Sequence, residues 1–223
     1  MTLELANGIY FISGTDTDVG KTVACGYLAK RLESEDKVSV ATLKLVQTGC
    51  TQGSIDIALH RRIMGHGLPE DAPASEGVTA PLIFPFPASP HLAARLAGRT
   101  IDLKAVARSA ALLRERYDIV LVEGAGGLMV PLTELLLTID YVRDQGWPVI
   151  FVTSGRLGSI SHTLLACEAL AHRGMPLAAV VYNAWCGADT PEEIVSDTRD
   201  YLQRRLAAAS PRTLWVELPL LAL

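Results

Sequence analysis

A nine-residue loop, Gly14-Thr15-Asp16-Thr17-Asp18-Val19-Gly20-Lys21-Thr22, constrains this chain more than any other stretch. The apolar run Ile9-Tyr10-Phe11-Ile12 precedes it, and a helix-compatible run from Val23 to Leu32 follows. A buried strand that turns through glycines into a helix opening with Gly-Lys-Thr aims backbone N–H groups and a helix N-terminus at an anion. In such a loop the lysine reaches the β- and γ-phosphates of a nucleoside triphosphate, and the hydroxyl ligates Mg2+. The leading glycine stands one residue earlier than in the general pattern, which has glycine where this chain has Thr15. The plainer alternative is a glycine turn followed by a lysine that happens to open a helix.

The rest of the chain repeats the strand-then-helix alternation. Strands are expected at Gly8–Ser13, Val38–Leu43, Asp118–Val122, Val149–Thr153, Ala178–Tyr182 and Leu214–Glu217. Helices are expected near Lys21–Glu33, Ile55–Met64, Leu103–Arg116, Leu132–Gln145, Ser159–Arg173 and Pro191–Ala208. Most of the strands are near-continuously apolar, as in a parallel sheet covered on both faces. The expected fold is α/β: an open, mostly parallel sheet with helices on both faces and right-handed crossovers, in a single domain over residues 1–223. Leu68–Ser89, rich in proline, reads as a long irregular excursion.

Ligands of such sheets bind at the carboxyl ends of the strands. The polar residues there are Gly14–Thr22, Lys44, Glu123, Ser154-Gly155-Arg156 and Asn183. Lys44 alone would read as a solvated surface residue; beside a phosphate site it can stabilise charge that develops in phosphoryl transfer. Glu123 closes an apolar strand and opens Gly124-Ala125-Gly126-Gly127, a position from which a carboxylate holds Mg2+ while glycines admit a close ligand. Its alternative is a helix-capping acid beside ordinary turn glycines. Asp56 is a second candidate metal ligand, and otherwise a first-turn helix acid. Asp16 and Asp18 would repel a triphosphate; they cap turns or receive the amino groups of a cationic substrate. The helix start Leu157-Gly158-Ser159-Ile160-Ser161 offers free N–H groups to a carboxylate. His91 and His162 read as structural.

With a net charge of −4, the chain has no basic face with which to replace counterions on nucleic acid. Four scattered cysteines without metal-ligand spacing point to a reduced, cytoplasmic setting. No apolar run approaches the ~18 residues needed to span a bilayer, and the N-terminus does not read as a signal peptide.

Taken together, these residues resemble the dethiobiotin synthetase family, whose members have the P-loop NTPase fold. Gly14–Thr22 is similar to that family's phosphate loop, and Lys44…Val46-Gln47-Thr48-Gly49 to its Lys-Pro-Val-Gln-Thr-Gly block. Asp56, Val122-Glu123-Gly124-Ala125-Gly126-Gly127, Ser89-Pro90-His91, Leu157–His162 and Asn183 follow in order. The resemblance implies a cytoplasmic ligase of biotin biosynthesis that takes 7,8-diaminopelargonic acid, CO2 or bicarbonate, and ATP as substrates. It implies Mg2+ held by Thr22, Asp56 and Glu123, and catalytic roles for Lys21 and Lys44. ATP contacts are implied at Asp18, Val19, Gly20, Lys21, Thr22 and Val23, and at Asp56, Glu123, Gly124, Ala125 and Gly126. Further ATP contacts are implied at Asn183, Glu217, Leu218 and Pro219. The implied substrate contacts are Thr17, Thr48, Ser159, Ile160 and Ser161, with the carboxylate site shared across a homodimer.

The chain departs from that pattern at three places. Leu45 stands where proline is usual, which would loosen the aim of Lys44. Ala184 follows Asn183, and Val216 stands where glycine is usual, so recognition of the base is less defined there. The alternatives at this point are a related amide-forming ligase of the cobyrinic-acid type and an ATP-driven partitioning switch. The first carries an added glutaminase domain, and the second a lysine early in the phosphate loop.

Overall fold

The computed structural model describes residues 3–67, 77–186 and 190–221. Six strands form one parallel sheet: β1 (Gly8–Gly14), β2 (Val40–Lys44), β5 (Ile119–Glu123), β6 (Val149–Ser154), β7 (Leu177–Asn183) and β8 (Leu214–Glu217). Their spatial order is β2-β5-β1-β6-β7-β8. From β1 the chain crosses to β2 and leaves a gap that β5 fills; it then crosses to β6 and builds outward on the other side. The reversal puts the carboxyl end of β1 at the switch point of the sheet, where α/β folds leave a crevice.

Alternate residues of β1 face opposite layers, as the pleat requires. Phe11 packs with Leu43, Val120, Val122 and Phe151, beneath α4 (Leu103–Arg114) and α5 (Thr138–Gln145). Tyr10 and Ile12 pack with Leu121, Ile150, Val152 and Val181 and with Ala24, Cys25 and Leu28 of α1 (Lys21–Arg31). Apolar neighbours on both faces explain the unbroken apolar runs of the sequence. The remaining long helices are α2 (Ile55–Met64), α6 (Ser159–His172) and α7 (Glu192–Ala209).

The structure differs from expectation in four places. Helix α5 starts at Thr138, not Leu132. The intervening residues make a turn in which Leu132 N–H donates to Leu136 O at 2.9 Å, and the Thr133 hydroxyl accepts from Leu136 N–H at 3.1 Å. That side-chain acceptor competes with the helical bond, a known reason for threonine to favour turns. Helix α1 ends at Arg31 and passes into a wide turn, Leu32–Asp36, stopped by Lys37 at φ 58°.

A short helix α3 (Pro90–Leu96) was not anticipated, nor was a second parallel sheet of β3 (Gln47–Thr48) and β4 (Ile83–Phe84). Two-residue strands are too short to show a period. Of the excursion Leu68–Ser89, residues 68–76 lie outside the described residues; the remainder carries β4 and returns to the edge of the switch-point crevice.

Candidate functional site

The loop after β1 is shaped by close contacts. A Cβ on Gly14 would lie 2.6 Å from Val19 Cγ1, and Gly20 sits at φ 101°, a conformation natural to glycine. Asp18 also has positive φ, 60°. Thr17 N–H donates to its neighbour Asp16 Oδ1 at 2.7 Å, and Lys21 Nζ donates to Asp16 O at 2.6 Å. The lysine therefore curls back over its own loop. From the far side Asn183 braces the loop, its Nδ2 donating to Val19 O at 2.9 Å. No side chain caps the start of α1, so its N-terminus is open to a ligand.

Beside the loop lies a buried charge network. Strands β2 and β5 pair with Lys44 opposite Glu123, which brings the two side chains to the same sheet edge. Lys44 Nζ lies 2.8 Å from Glu123 Oε1 and 2.5 Å from Asp56 Oδ2, and donates to Gly124 O at 3.1 Å. The Thr22 hydroxyl donates to the same Glu123 Oε1 at 2.9 Å. The second oxygen, Oε2, lies 2.7 Å from His60 Nε2, with both side chains essentially inaccessible. Burial alone would raise the Glu123 pKa; Lys44 and the hydrogen bond from His60 outweigh it and hold the carboxyl well below its ordinary range. For Lys44, burial works against the charge, and Glu123 and Asp56 more than restore it, so its pKa is raised. Lys21 is lowered, first by burial and then by the neighbouring Lys44 ammonium.

Leu45 is fully buried where β2 ends. Its N–H donates to Glu123 O at 2.9 Å, a bond proline could not make, and extends the β2–β5 ladder past Lys44.

The loop and the network open into one cleft of about 740 Å³. Thr17, Asp18, Gly20, Lys21, Thr22 and Val23 line it from one side. Lys44, Thr48, Asp56, Glu123, Ala125 and Gly126 line it from the others, as do Val46, Gln47, Leu59 and Pro87-Ala88-Ser89-Pro90. Several expected residues lie elsewhere. Val19 is buried behind the loop. Gly124 donates its N–H to Ile12 O at 2.9 Å, and a Cβ there would meet the Phe11 ring at 2.5 Å, so it serves packing and keeps its N–H from the cleft.

Asn183, Glu217, Leu218 and Pro219 do not line the cleft; Asn183 and Leu218 stand behind the loop, within 4 Å of a Cβ placed on Gly20. There Leu218 N–H donates to Tyr182 O at 2.9 Å, and Trp185 Nε1 donates to Leu218 O at 3.1 Å. Ser159, Ile160 and Ser161 begin α6 after Gly158 at φ 89°. The Ser159 hydroxyl is turned inward, 2.9 Å from Ser154 Oγ, and no side chain caps this helix start.

Sequence reasoning missed His60. The signal was present: His60 lies four residues after Asp56 on an expected helix, a spacing that puts both on one face. It also missed Gln47, whose Oε1 accepts from the Ser54 hydroxyl at 2.5 Å and so fixes the N-cap of α2.

Three comparisons bear on this geometry. Residues 9–217 match a family described as AAA domain. An ATP-dependent dethiobiotin synthetase BioD 2 of Pasteurella multocida (strain Pm70) is 45% identical over 96% of this chain and 98% of its own. The ATP-dependent dethiobiotin synthetase BioD of Chlorobaculum tepidum is 49% identical over 95% of this chain and 85% of its own. Among solved structures, a ParA family ATPase from Chlorobium tepidum TLS superposes with a TM-score of 0.52, covering 96% of this chain and 85% of that one. At 16% identity that likeness speaks to the fold alone. With near-full-length relatives of this identity, the chain belongs to the ATP-dependent dethiobiotin synthetase family.

Proposed function

We propose that this chain is a single-domain, ATP- and Mg2+-dependent ligase. It joins CO2 to 7,8-diaminopelargonic acid and closes the ureido ring of dethiobiotin in biotin biosynthesis. The observation that carries the reading is the grouping of Lys21, Thr22, Lys44 and Glu123 at one cleft mouth with Thr17 and Thr48. Family membership supplies the substrates.

One amine adds to CO2 to give a carbamate, and ATP phosphorylates the carbamate oxygen. The second amine then attacks the carbamate carbon and expels phosphate, closing the ring. Lys21 and Lys44 supply the positive charge such a transfer needs, Lys44 from the place where Asp56 and Glu123 hold it. Asp18, Gly20 and Val23 wrap the phosphates with Ala125 and Gly126; Val19 and Gly124 support that wall from behind. Asn183, Glu217, Leu218 and Pro219 form the margin for the base. Thr17 and Thr48 face the diamine, and the uncapped start of α6 at Ser159, Ile160 and Ser161 receives its distant carboxylate.

The donor set suits Mg2+. The Thr22 hydroxyl and the Asp56 and Glu123 carboxylates are hard oxygen ligands, and the two acids outnumber the Lys44 ammonium between them. When bound, the ion would neutralise charge on the phosphates. A homodimer fits the exposed Leu157 and Leu165 on and beside α6. Four free cysteines fit a reduced cytoplasm, and no described helix is long and apolar enough to cross a membrane.

The test is ADP release with and without the diamine and bicarbonate. Release that needs both supports the ligase; release indifferent to the diamine sinks it in favour of an ATP-driven switch.

A further inference from the structure

Helix α2 reaches the cleft with two side chains one turn apart. Asp56 meets Lys44, and His60 meets Glu123, so one helix face touches both members of the central ion pair. The approach is close because α1 is thin where α2 crosses it: a Cβ on Gly26 would lie 3.2 Å from His60 Cα and 3.0 Å from Ile63 Cβ. Ser54 caps the helix start, accepting from Ile57 N–H at 3.2 Å. His60 thus stands on a fixed support and is 0% exposed.

Its environment fixes the tautomer. Glu123 Oε2 can only accept, so the 2.7 Å contact places a ring proton on Nε2, and Nδ1 takes no part in it. That nitrogen is buried and has no hydrogen-bond partner among the described residues. An unpartnered buried nitrogen is a cost that would be hard to account for if the imidazole served only to fill space. Cys25 lies in the same cluster, and burial raises its thiol well above the ordinary value, so it stays neutral and adds no charge.

We propose that His60 is a positioning residue: its Nε2–H holds Glu123 Oε2 so that Oε1 remains turned toward Thr22 and the cleft. A carboxylate pinned at one oxygen cannot rotate to present both to an ion, and its other oxygen is fixed where the Thr22 hydroxyl already points. This inference rests on the reading of Glu123 as the acid beside the phosphates.

The test measures Mn2+ binding by electron paramagnetic resonance in the presence of a non-hydrolysable ATP analogue, for the whole chain and three variants. His60→Leu fills the volume without a donor. His60→Asn keeps an amide too short to reach Glu123. His60→Gln places an amide nitrogen where Nε2 stands. The expected result is Mn2+ affinity weakened by about tenfold in the Leu and Asn variants, the scale usual for residues that orient a ligand, and largely regained in Gln. Affinity for the analogue in EDTA should not change in any of them.

Unchanged Mn2+ affinity in either folded loss variant overturns the proposal, as does a Gln variant no better than Asn. If the Leu variant does not fold, Asn against Gln decides. Failure of the unaltered protein to bind Mn2+ with the analogue would instead sink the site reading itself, so the two failures are told apart.

Discussion

The two halves of the sheet end in different chemistry. At the carboxyl ends of β2 and β5 stand Lys44 and Glu123, both buried and joined to Asp56 and His60. At the ends of β6 and β7 the buried groups are neutral. Thr153 lies 2.7 Å from Thr163, Ser154 lies 2.9 Å from Ser159, and Asn183 bonds to the phosphate loop. Buried charges endure only when each has a partner, and on the first side α2 supplies partners from outside the sheet. The second side has hydroxyls and an amide, which are satisfied by neutral hydrogen bonds. Under the proposed function, phosphate chemistry belongs to the charged half, and holding and recognition to the neutral one.

The largest effect expected is on the shared border. Lys21→Ala should abolish measurable triphosphate binding, since no other side chain of the loop reaches the β- and γ-phosphates. Calorimetry with ATP checks this, and an unchanged affinity would remove the phosphate-loop reading.

On the charged half, Lys44→Gln should lower turnover by about 10²-fold with a much smaller change in the KM for ATP. It should also destabilise the fold by about 3 kcal/mol, because Asp56 and Glu123 lose the ammonium between them. Lys44→Arg should rescue neither fully: a planar guanidinium does not fit the place of a compact ammonium held by three oxygens. Steady-state kinetics together with a urea melt separate the two losses. Weakened ATP binding at near-normal turnover would make the lysine a plain phosphate anchor.

How much of this was legible follows the same division. The six strands of the main sheet were readable because burial on both faces writes unbroken apolar runs, and the rule of carboxyl ends then singled out Lys44 and Glu123. The partners of those charges were not all readable. The spacing puts His60 on the helix face of Asp56, but that this face turns inward is set by the crossing of α1 and α2 over Gly26, a tertiary fact. The start of α5 was misread because the apolar content of Leu132–Leu137 suits a helix, while a single Thr133 hydroxyl closes a turn there instead. The inward rotation of Ser159 was equally hidden, since its partner Ser154 lies in another element.

The neutral half should give smaller effects. Asn183→Ala removes the donor to Val19 O and the acceptor for Trp185 N–H, 3.1 Å away. Two such bonds, each contributing about 1 kcal/mol, correspond to about thirtyfold in nucleotide affinity if the loop relaxes without them. Turnover at saturating ATP should hold. A fall in turnover as deep as that of Lys44→Gln would break the division between the halves.

The smallest effect sharpens the comparison from within the charged half. Leu45 occupies the position where proline is usual in the resembling family, and its N–H donates to Glu123 O at 2.9 Å. Leu45→Pro would remove that bond, about 1 kcal/mol, and part of a fully buried side chain, another 1–2 kcal/mol. Proline's restriction of the unfolded chain returns about 0.4–1 kcal/mol, and its demand for an extended residue before it is already met, because Lys44 ends a strand. The net loss of about 2 kcal/mol should appear as a Tm lower by several degrees. Turnover should change little, because Lys44 is held by Asp56 and Glu123 through its ammonium and not by the peptide that follows it. A thermal melt and steady-state kinetics on the same preparation decide the point. If turnover fell with Tm unmoved, the aim of Lys44 would depend on the backbone after β2, and the side-chain network would lose its place as the feature that sets the charged half apart.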